Sequence, residues 1–144
     1  MNDFRHIPRK RFGQHWLKDQ GVLDKIVKAA KLNSEDCVLE VGPGKGALTE
    51  RLIESHARFI HAIELDRDLV TGLRKRFGHH NKFNLREGDI LSVPLDIENG
   101  LIANKVVANI PYNITGPLLK RLIGELRKPP ENKFESLVLL MQKE

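Results

Sequence analysis

The chain has 144 residues, 40% of them hydrophobic and 30% charged, which is enough for one domain with a proper core. No apolar run approaches the roughly 20 residues of a membrane-spanning helix, and the single cysteine, Cys37, excludes an internal disulfide. The formal net charge of +5 favours polyanionic partners without demonstrating one. We therefore expect a globular protein of a reducing compartment, the cytoplasm, with no membrane association.

The N-terminal segment is basic and shows neither helical nor strand periodicity. Before Asp19 it carries a single acid, together with the basic residues Arg5, Arg9, Lys10, Arg11 and Lys18. A basic arm of this kind commonly lies along phosphates. It contains no apolar stretch typical of a secretory signal. We expect residues 1–20 to form an arm and residues 21–144 to form the core domain.

Beyond the arm, the hydrophobic pattern alternates between helices and strands. Apolar residues at helical spacing predict a helix over Gly21–Lys31, and later helices through Leu48–Ile53, Leu69–Phe77 and Pro117–Leu126. Short apolar runs predict strands at Val38–Val41, Phe59–Glu64, Phe83–Glu87, Lys105–Ala108 and Leu137–Met141. This alternation predicts an α/β fold, a doubly wound and mostly parallel Rossmann-like sheet.

The stretch Val38–Gly46 joins the first strand to the next helix through a loop with glycines at alternate positions, Gly42 and Gly44 among them. Such glycines permit a tight turn and let a ligand approach the backbone. The loop fits both the G-x-G-x-x-G/A fingerprint of dinucleotide sites and the E-x-G-x-G-x-G loop of S-adenosylmethionine sites, with Glu40 as its acid. The loop alone leaves both open, but a P-loop is excluded because Lys45 is not followed by Ser or Thr.

Polar residues follow the later strands at the sheet edge where doubly wound folds bind ligands. Glu64 ends the second strand about 20 residues after the glycine loop, the spacing of an acid that binds ribose hydroxyls. Asp89 follows the third strand, and Asn109 follows the fourth. Each has an ordinary explanation as a turn or cap residue, but their shared edge favours a common site.

The segment after the fourth strand decides between the two cofactors. Asn109-Ile110-Pro111-Tyr112 resembles the N-x-P-[YF] motif of amino-group methyltransferases. An exocyclic adenine amine is a poor nucleophile because its lone pair is delocalised into the ring. The amide oxygen of Asn109 and the carbonyl of Ile110 can accept its two N–H groups. Pro111 stiffens the segment, and Tyr112 offers a ring for base stacking at roughly 1–3 kcal/mol.

Taken together, these motifs resemble the KsgA/RsmA family of small-subunit rRNA adenine dimethyltransferases. The matching segments, in chain order, are Arg9–Leu17, Val38–Gly46, Ala62–Asp66, Gly88–Asp89, Asn109–Thr115 and Leu140–Glu144. The sister Erm family of large-subunit rRNA methyltransferases shares most of them, but Arg9–Leu17 and Ile63–Leu69 look more like the small-subunit family.

The resemblance implies a class I methyltransferase that uses S-adenosylmethionine. We expect no metal site, because the adjacent His79 and His80 have no second cluster at ligand spacing. The cofactor contacts that it implies are His15, Leu17, Gly42, Gly44, Glu64, Asp89, Ile90 and Asn109. By this resemblance, His15 and Leu17 close the arm over the methionine end of the cofactor. Asp89 accepts a hydrogen bond from the adenine amino group, and Ile90 packs against the adenine ring. Asn109 to Tyr112 then face the target base.

By the same resemblance the substrate is a pair of adjacent adenines near the 3′ end of 16S rRNA in the immature small subunit, each methylated twice at N6 by a monomer. Family members run well beyond Glu144, with two more strands and a helical RNA-binding domain, so we interpret the chain as truncated after the fifth strand. The alternatives are an Erm-type 23S rRNA methyltransferase and a non-catalytic RNA-binding ribosome-assembly module.

Overall fold

A computed structural model describes residues 19–97, 100–124 and 133–142, and this part of the chain alternates between helices and strands. The elements are α1 Gln20–Ala30, β1 Cys37–Val41, α2 Ala47–Glu54, β2 Phe59–Glu64, α3 Arg67–Phe77, β3 Phe83–Glu87, β4 Lys105–Pro111, α4 Thr115–Ile123 and β5 Ser136–Gln142. A 3₁₀ turn, Tyr112–Ile114, links β4 to α4. Within the described ranges, no helix is both long and apolar enough to cross a membrane.

The five strands form one parallel sheet in the order β3-β2-β1-β4-β5. The central strand β1 pairs with β2 on one side and β4 on the other, so that Val38 lies opposite both Ile60 and Lys105. Because all strands are parallel, their carboxyl ends meet at one edge. The predicted doubly wound α/β fold is therefore confirmed.

Each face of the sheet carries its own hydrophobic core, which is why the inner strands β1 and β2 are buried along their whole length and mostly apolar. On one face, α1, α2 and α3 bury residues such as Leu23, Leu52 and Leu73. On the other face, Leu118 and Leu122 of α4 pack with residues from the segment after β3. Alternate side chains of β1, β2, β4 and β5 contribute to the two cores, whereas β3 contributes to the first core only.

Several element boundaries differ from the sequence prediction. β4 continues to Pro111 instead of ending at Ala108, because it pairs with β5 as far as the partners Pro111 and Gln142. Asn109 and Ile110 are thus strand residues and not loop residues. The first helix begins at Gln20, with Asp19 accepting the N–H groups of Gly21 and Val22. The end of the last predicted helix, at Leu126, lies outside the described residues.

A buried ion pair fastens the end of α1 to the sheet edge opposite the strands' carboxyl ends. Lys105 Nζ donates to Asp36 Oδ2 at 2.9 Å and to the carbonyl oxygens of Ala30 and Lys31 at 3.0 and 2.8 Å. Burial raises the pKa of Asp36, but hydrogen bonds from Asn104, Lys105 and a backbone N–H outweigh it and leave the pKa below its ordinary value. All three donors of the ammonium group are thereby satisfied.

Replacing Lys105 with Met should lower the free energy of unfolding by about 3 kcal/mol, because Asp36 would remain buried with its cation removed. Since the folded pKa of Asp36 is lowered, the stabilisation is present above its ordinary pKa of 3.8 and is lost as the pH falls below that value. Urea unfolding at neutral and acidic pH checks both points. The exposed Lys75→Met of α3 is the matched control. An equal loss in both variants would contradict the prediction.

Candidate functional site

The glycine loop after β1 lies directly against the end of β4. A Cβ atom built on Gly42 would be only 2.4 Å from the carbonyl oxygen of Asn109, and the φ of Gly42 is +70°. The N–H of Gly42 donates to the carbonyl of Ile63 at 3.1 Å. The loop is therefore held between the carboxyl ends of β2 and β4, and only glycine allows this approach.

The carboxylate of Glu64 joins the glycine loop to the turn after β2. Its Oε1 accepts the N–H of Gly44 at 3.1 Å, and its Oε2 accepts the N–H of Asp66 at 3.0 Å. Glu64 is 8% exposed, and burial raises its pKa although these N–H groups oppose the shift. A Cβ on Gly44, whose φ is +60°, would point into open space. The surface at Gly44 therefore consists of main-chain atoms next to the carboxylate of Glu64.

Glu40, the acid of the loop motif, lies in the interior beneath α2. It is 1% exposed, and its Oε1 accepts the hydroxyl of Thr49 at 2.7 Å. Its Oε2 has no hydrogen-bond partner among the described residues. Burial raises the pKa of Glu40 to about 8, with the charge of Glu64 adding to the shift against the Thr49 bond. Glu40 is therefore protonated at neutral pH, and its hydrogen bond with Thr49 joins β1 to the start of the helix that follows the loop.

The residues after β3 form a tight turn at the same edge. The N–H of Gly88 donates to the carbonyl of Glu64 at 2.9 Å, which ties this turn to the end of β2. The exposed Asp89 accepts the N–H of Leu91 on Oδ1 at 2.9 Å. Ile90 is only 6% exposed and belongs to the core with α4, so only the rim of its side chain reaches the surface.

The end of β4 divides into buried and exposed residues. Asn109 is 9% exposed, and Ile110 is fully buried, backbone included. Pro111 is exposed, and Tyr112 is 66% exposed at the start of the 3₁₀ turn. An aromatic ring so exposed is available for stacking.

One residue without an assigned role in the sequence analysis lies at this edge, directly after β2. Leu65, between Glu64 and Asp66, is 68% exposed, although it directly follows a buried strand. An exposed apolar side chain beside a carboxylate can cover one face of a ring system. In the sequence, the signal for Leu65 was its position between two acidic residues at the end of a strand.

The structure brings together six of the predicted cofactor residues: Gly42, Gly44, Glu64, Asp89, Ile90 and Asn109. His15 and Leu17 lie outside the described residues. The site is an open surface along the strand ends. Among residues 19–97, 100–124 and 133–142, no group of three or more potential metal ligands occurs.

A family model described as ribosomal RNA adenine dimethylase matches residues 5–144. The chain belongs to this family. It is 86% identical over its whole length to ribosomal RNA small subunit methyltransferase A of Prochlorococcus marinus (strain NATL2A). It is 68% identical over 139 residues, 96% of the chain, to the protein of the same name from Synechococcus sp. (strain CC9902). The family resemblance inferred from the motifs is thereby confirmed.

Two solved structures show the same fold. A dimethyladenosine transferase from Plasmodium falciparum is 34% identical, with a TM-score of 0.71 over 87% of this chain and 42% of its own. The 23S rRNA methyltransferase ErmE is 28% identical, with a TM-score of 0.68 over 85% of this chain and 46% of its own. The chain spans about half the length of the curated relatives that it matches: 50% of the Prochlorococcus protein and 51% of the Synechococcus protein.

Substitutions at the two loop glycines should separate close packing from backbone strain. We expect Gly42→Ala to lower the free energy of unfolding by about 3 kcal/mol, because its Cβ meets a backbone carbonyl and cannot move away. Gly44→Ala should cost about 1 kcal/mol, for the positive φ alone. Chemical denaturation of both variants measures the difference. Equal losses would show that the contact with β4 does not constrain the loop.

Glu40→Gln should change the pH dependence of stability. Between the ordinary pKa of 4.5 and about 8, folded Glu40 keeps a proton that the unfolded chain releases. The native protein therefore loses stability relative to the variant as the pH rises, by at most about 1.4 kcal/mol per pH unit.

Unfolding free energies of both proteins between about pH 5 and pH 8 test this linkage. Burial lowers the pKa of His61 to about 4 and gives the opposite slope at acidic pH. That contribution is common to both proteins, so it cancels in their difference. A difference that stays constant with pH would mean that Glu40 is ionised.

Proposed function

We propose that this chain forms the cofactor-binding part of an enzyme that transfers methyl groups to N6 of two adjacent adenines near the 3′ end of 16S rRNA. The observation that carries the proposal is the contact of the Gly42 backbone with the carbonyl of Asn109. It sets the donor-binding loop and the amine-binding segment side by side. Membership of the ribosomal RNA adenine dimethylase family and the names of the relatives support the same reaction.

The residues at the strand ends fit S-adenosylmethionine. Open space over Gly44 admits a ligand to the backbone, and a carboxylate oxygen of Glu64 that accepts one N–H retains a lone pair for a ribose hydroxyl. Asp89 has one oxygen engaged with Leu91 and a second available for an amino group. When bound, S-adenosylmethionine supplies a methyl group on a positively charged sulfur, which is a good leaving group.

The segment at the end of β4 would hold the acceptor. The side-chain oxygen of Asn109 and the carbonyl of Ile110 would accept the two N–H groups of the adenine amine, freeing its lone pair from the ring. The exposed ring of Tyr112 would stack on a base turned out of its helix. No strong general base is needed, so most of the rate would come from alignment, where effective molarities reach about 10⁵ M or more.

The substrate assignment rests on charge and family together. The net charge of +5 suits a polyanion, and the small-subunit relatives are more similar to this chain than the 28% identical ErmE. We place the reaction on the immature small ribosomal subunit in the cytoplasm, with the enzyme acting as a monomer. RNA binding would also be required of a non-catalytic assembly module, so only turnover separates the two.

Cofactor identity is tested first on this chain by calorimetry with S-adenosylmethionine and with NAD. We expect binding of S-adenosylmethionine only, because the Asn109–Tyr112 segment suits a methyl acceptor. Binding of NAD alone would favour an oxidoreductase. Since Glu64 faces the ribose in either case, Glu64→Ala should weaken any binding by about tenfold or more.

Catalysis is tested on a full-length protein that contains this chain, by incorporation of labelled methyl groups into immature small subunits. Asn109→Ala should reduce the rate by about 100-fold or more, because one of the two amine acceptors is lost. Cofactor affinity, measured in parallel, distinguishes loss of the hydrogen-bond acceptor for the target amine from loss of the S-adenosylmethionine site. Incorporation that is absent from the native protein, or that maps to large-subunit RNA, would overturn the assignment.

A further inference from the structure

Arg121 connects α4 to the turn after β3. Its guanidinium Nη1 donates to the carbonyl oxygen of Ile90 in a partly buried hydrogen bond. Leu118 and Leu122, its neighbours on the helix, are buried in the core that also contains Ile90. The arginine therefore leaves a fixed part of α4 and reaches a fixed part of the turn, which favours a defined geometry over a mobile surface contact.

Arg121 and Asp89 form hydrogen bonds to the two sides of one peptide group. The carbonyl of Ile90 and the N–H of Leu91 belong to the same planar peptide. The carbonyl accepts from Arg121, and the N–H donates to Asp89 Oδ1 at 2.9 Å. A charged donor on the carbonyl polarises the peptide and strengthens the N–H as a donor. The three groups thus form one hydrogen-bonded chain.

We propose that Arg121 is a positioning residue that fixes the carboxylate of Asp89 for the amino group of the donor's adenine. The inference rests on the proposed function, in which Asp89 accepts that amino group. With Oδ1 held by the peptide, Oδ2 would be left to accept the amino group of the ligand. Arg121 belongs to the helix that follows Tyr112 and the 3₁₀ turn, so it joins the adenine side of the donor site to the acceptor segment.

A second arginine offers a matched control on the same turn. Arg86 of β3 donates to the carbonyl of Pro94 at 2.8 Å. It also fastens the segment after β3, but at a peptide that does not contact Asp89. Removing Arg86 therefore tests whether any loosening of this segment impairs adenine recognition, whereas removing Arg121 tests the alignment of Asp89.

The experiment compares two ligands that differ at the adenine amino group, S-adenosylhomocysteine and its deaminated form, S-inosylhomocysteine. Calorimetry on this chain should give a preference of about tenfold for the adenosyl ligand, the value of about one hydrogen bond to a charged group. Arg121→Met should reduce that preference to about threefold or less by weakening adenosyl binding, with the inosyl affinity unchanged. Arg121→Lys should restore most of it.

Arg86→Met should keep the full preference, and Asp89→Asn should abolish it with no further loss when combined with Arg121→Met. Undiminished preference in Arg121→Met, or equal loss in Arg86→Met, would overturn the role of Arg121. If Arg121→Met fails to fold, Arg121→Gln, which is too short to reach the carbonyl, decides the question on the same criterion. Failure of the native chain to bind S-adenosylhomocysteine would instead overturn the proposed function.

Discussion

The contact between the Gly42 backbone and the carbonyl of Asn109 is the constraint on which the site depends. It exists because β1 and β4 are neighbours in the sheet, so the loop that leaves one strand must pass the end of the other. No side chain fits between them. The glycine loop and the end of β4 are consequently placed by the backbone of the sheet and not by adjustable side-chain contacts.

Around this contact, three carboxyl groups are held at the strand ends by different means. Glu40 is buried and neutral, and it supports the loop through Thr49. Glu64 is satisfied by backbone N–H groups from two turns. Asp89 is exposed and anchored through one oxygen. Glu40 is only 1% exposed, so the acidity presented at the surface is less than the sequence suggests. This leaves a site with local acceptors in a protein of positive net charge.

The fold could be predicted because the strands are short apolar runs, buried on both faces, and because Gly42 and its neighbours mark the turn between β1 and α2. The end of β4 could not, since Asn109 and Pro111 are poor strand residues. Pairing with β5 overrides their propensity. Asn109 to Pro111 of the motif at this position therefore lie in a strand, and Tyr112 begins the 3₁₀ turn.

Features that depend on long-range packing gave no sequence signal. Lys105 begins a strand and reads as a solvent-facing residue, yet it is buried against Asp36. The protonation of Glu40 depends on how α2 covers it. The bond from Arg121 to Ile90 joins residues with no motif in common. Each requires knowing which helix lies over which strand, and hydrophobic periodicity does not supply that information.

The strand order also bears on how the molecule assembles during synthesis. β1, β2 and β3 are adjacent in both chain and sheet, whereas β4 enters on the other side of β1 only after the intervening segment has emerged. Closing that longer loop carries an entropic cost that local pairing avoids. We expect a nascent three-stranded half-sheet in which β1 is an exposed edge strand, and a sheet edge around Gly42 and Asn109 that is completed only when the later half of the chain docks.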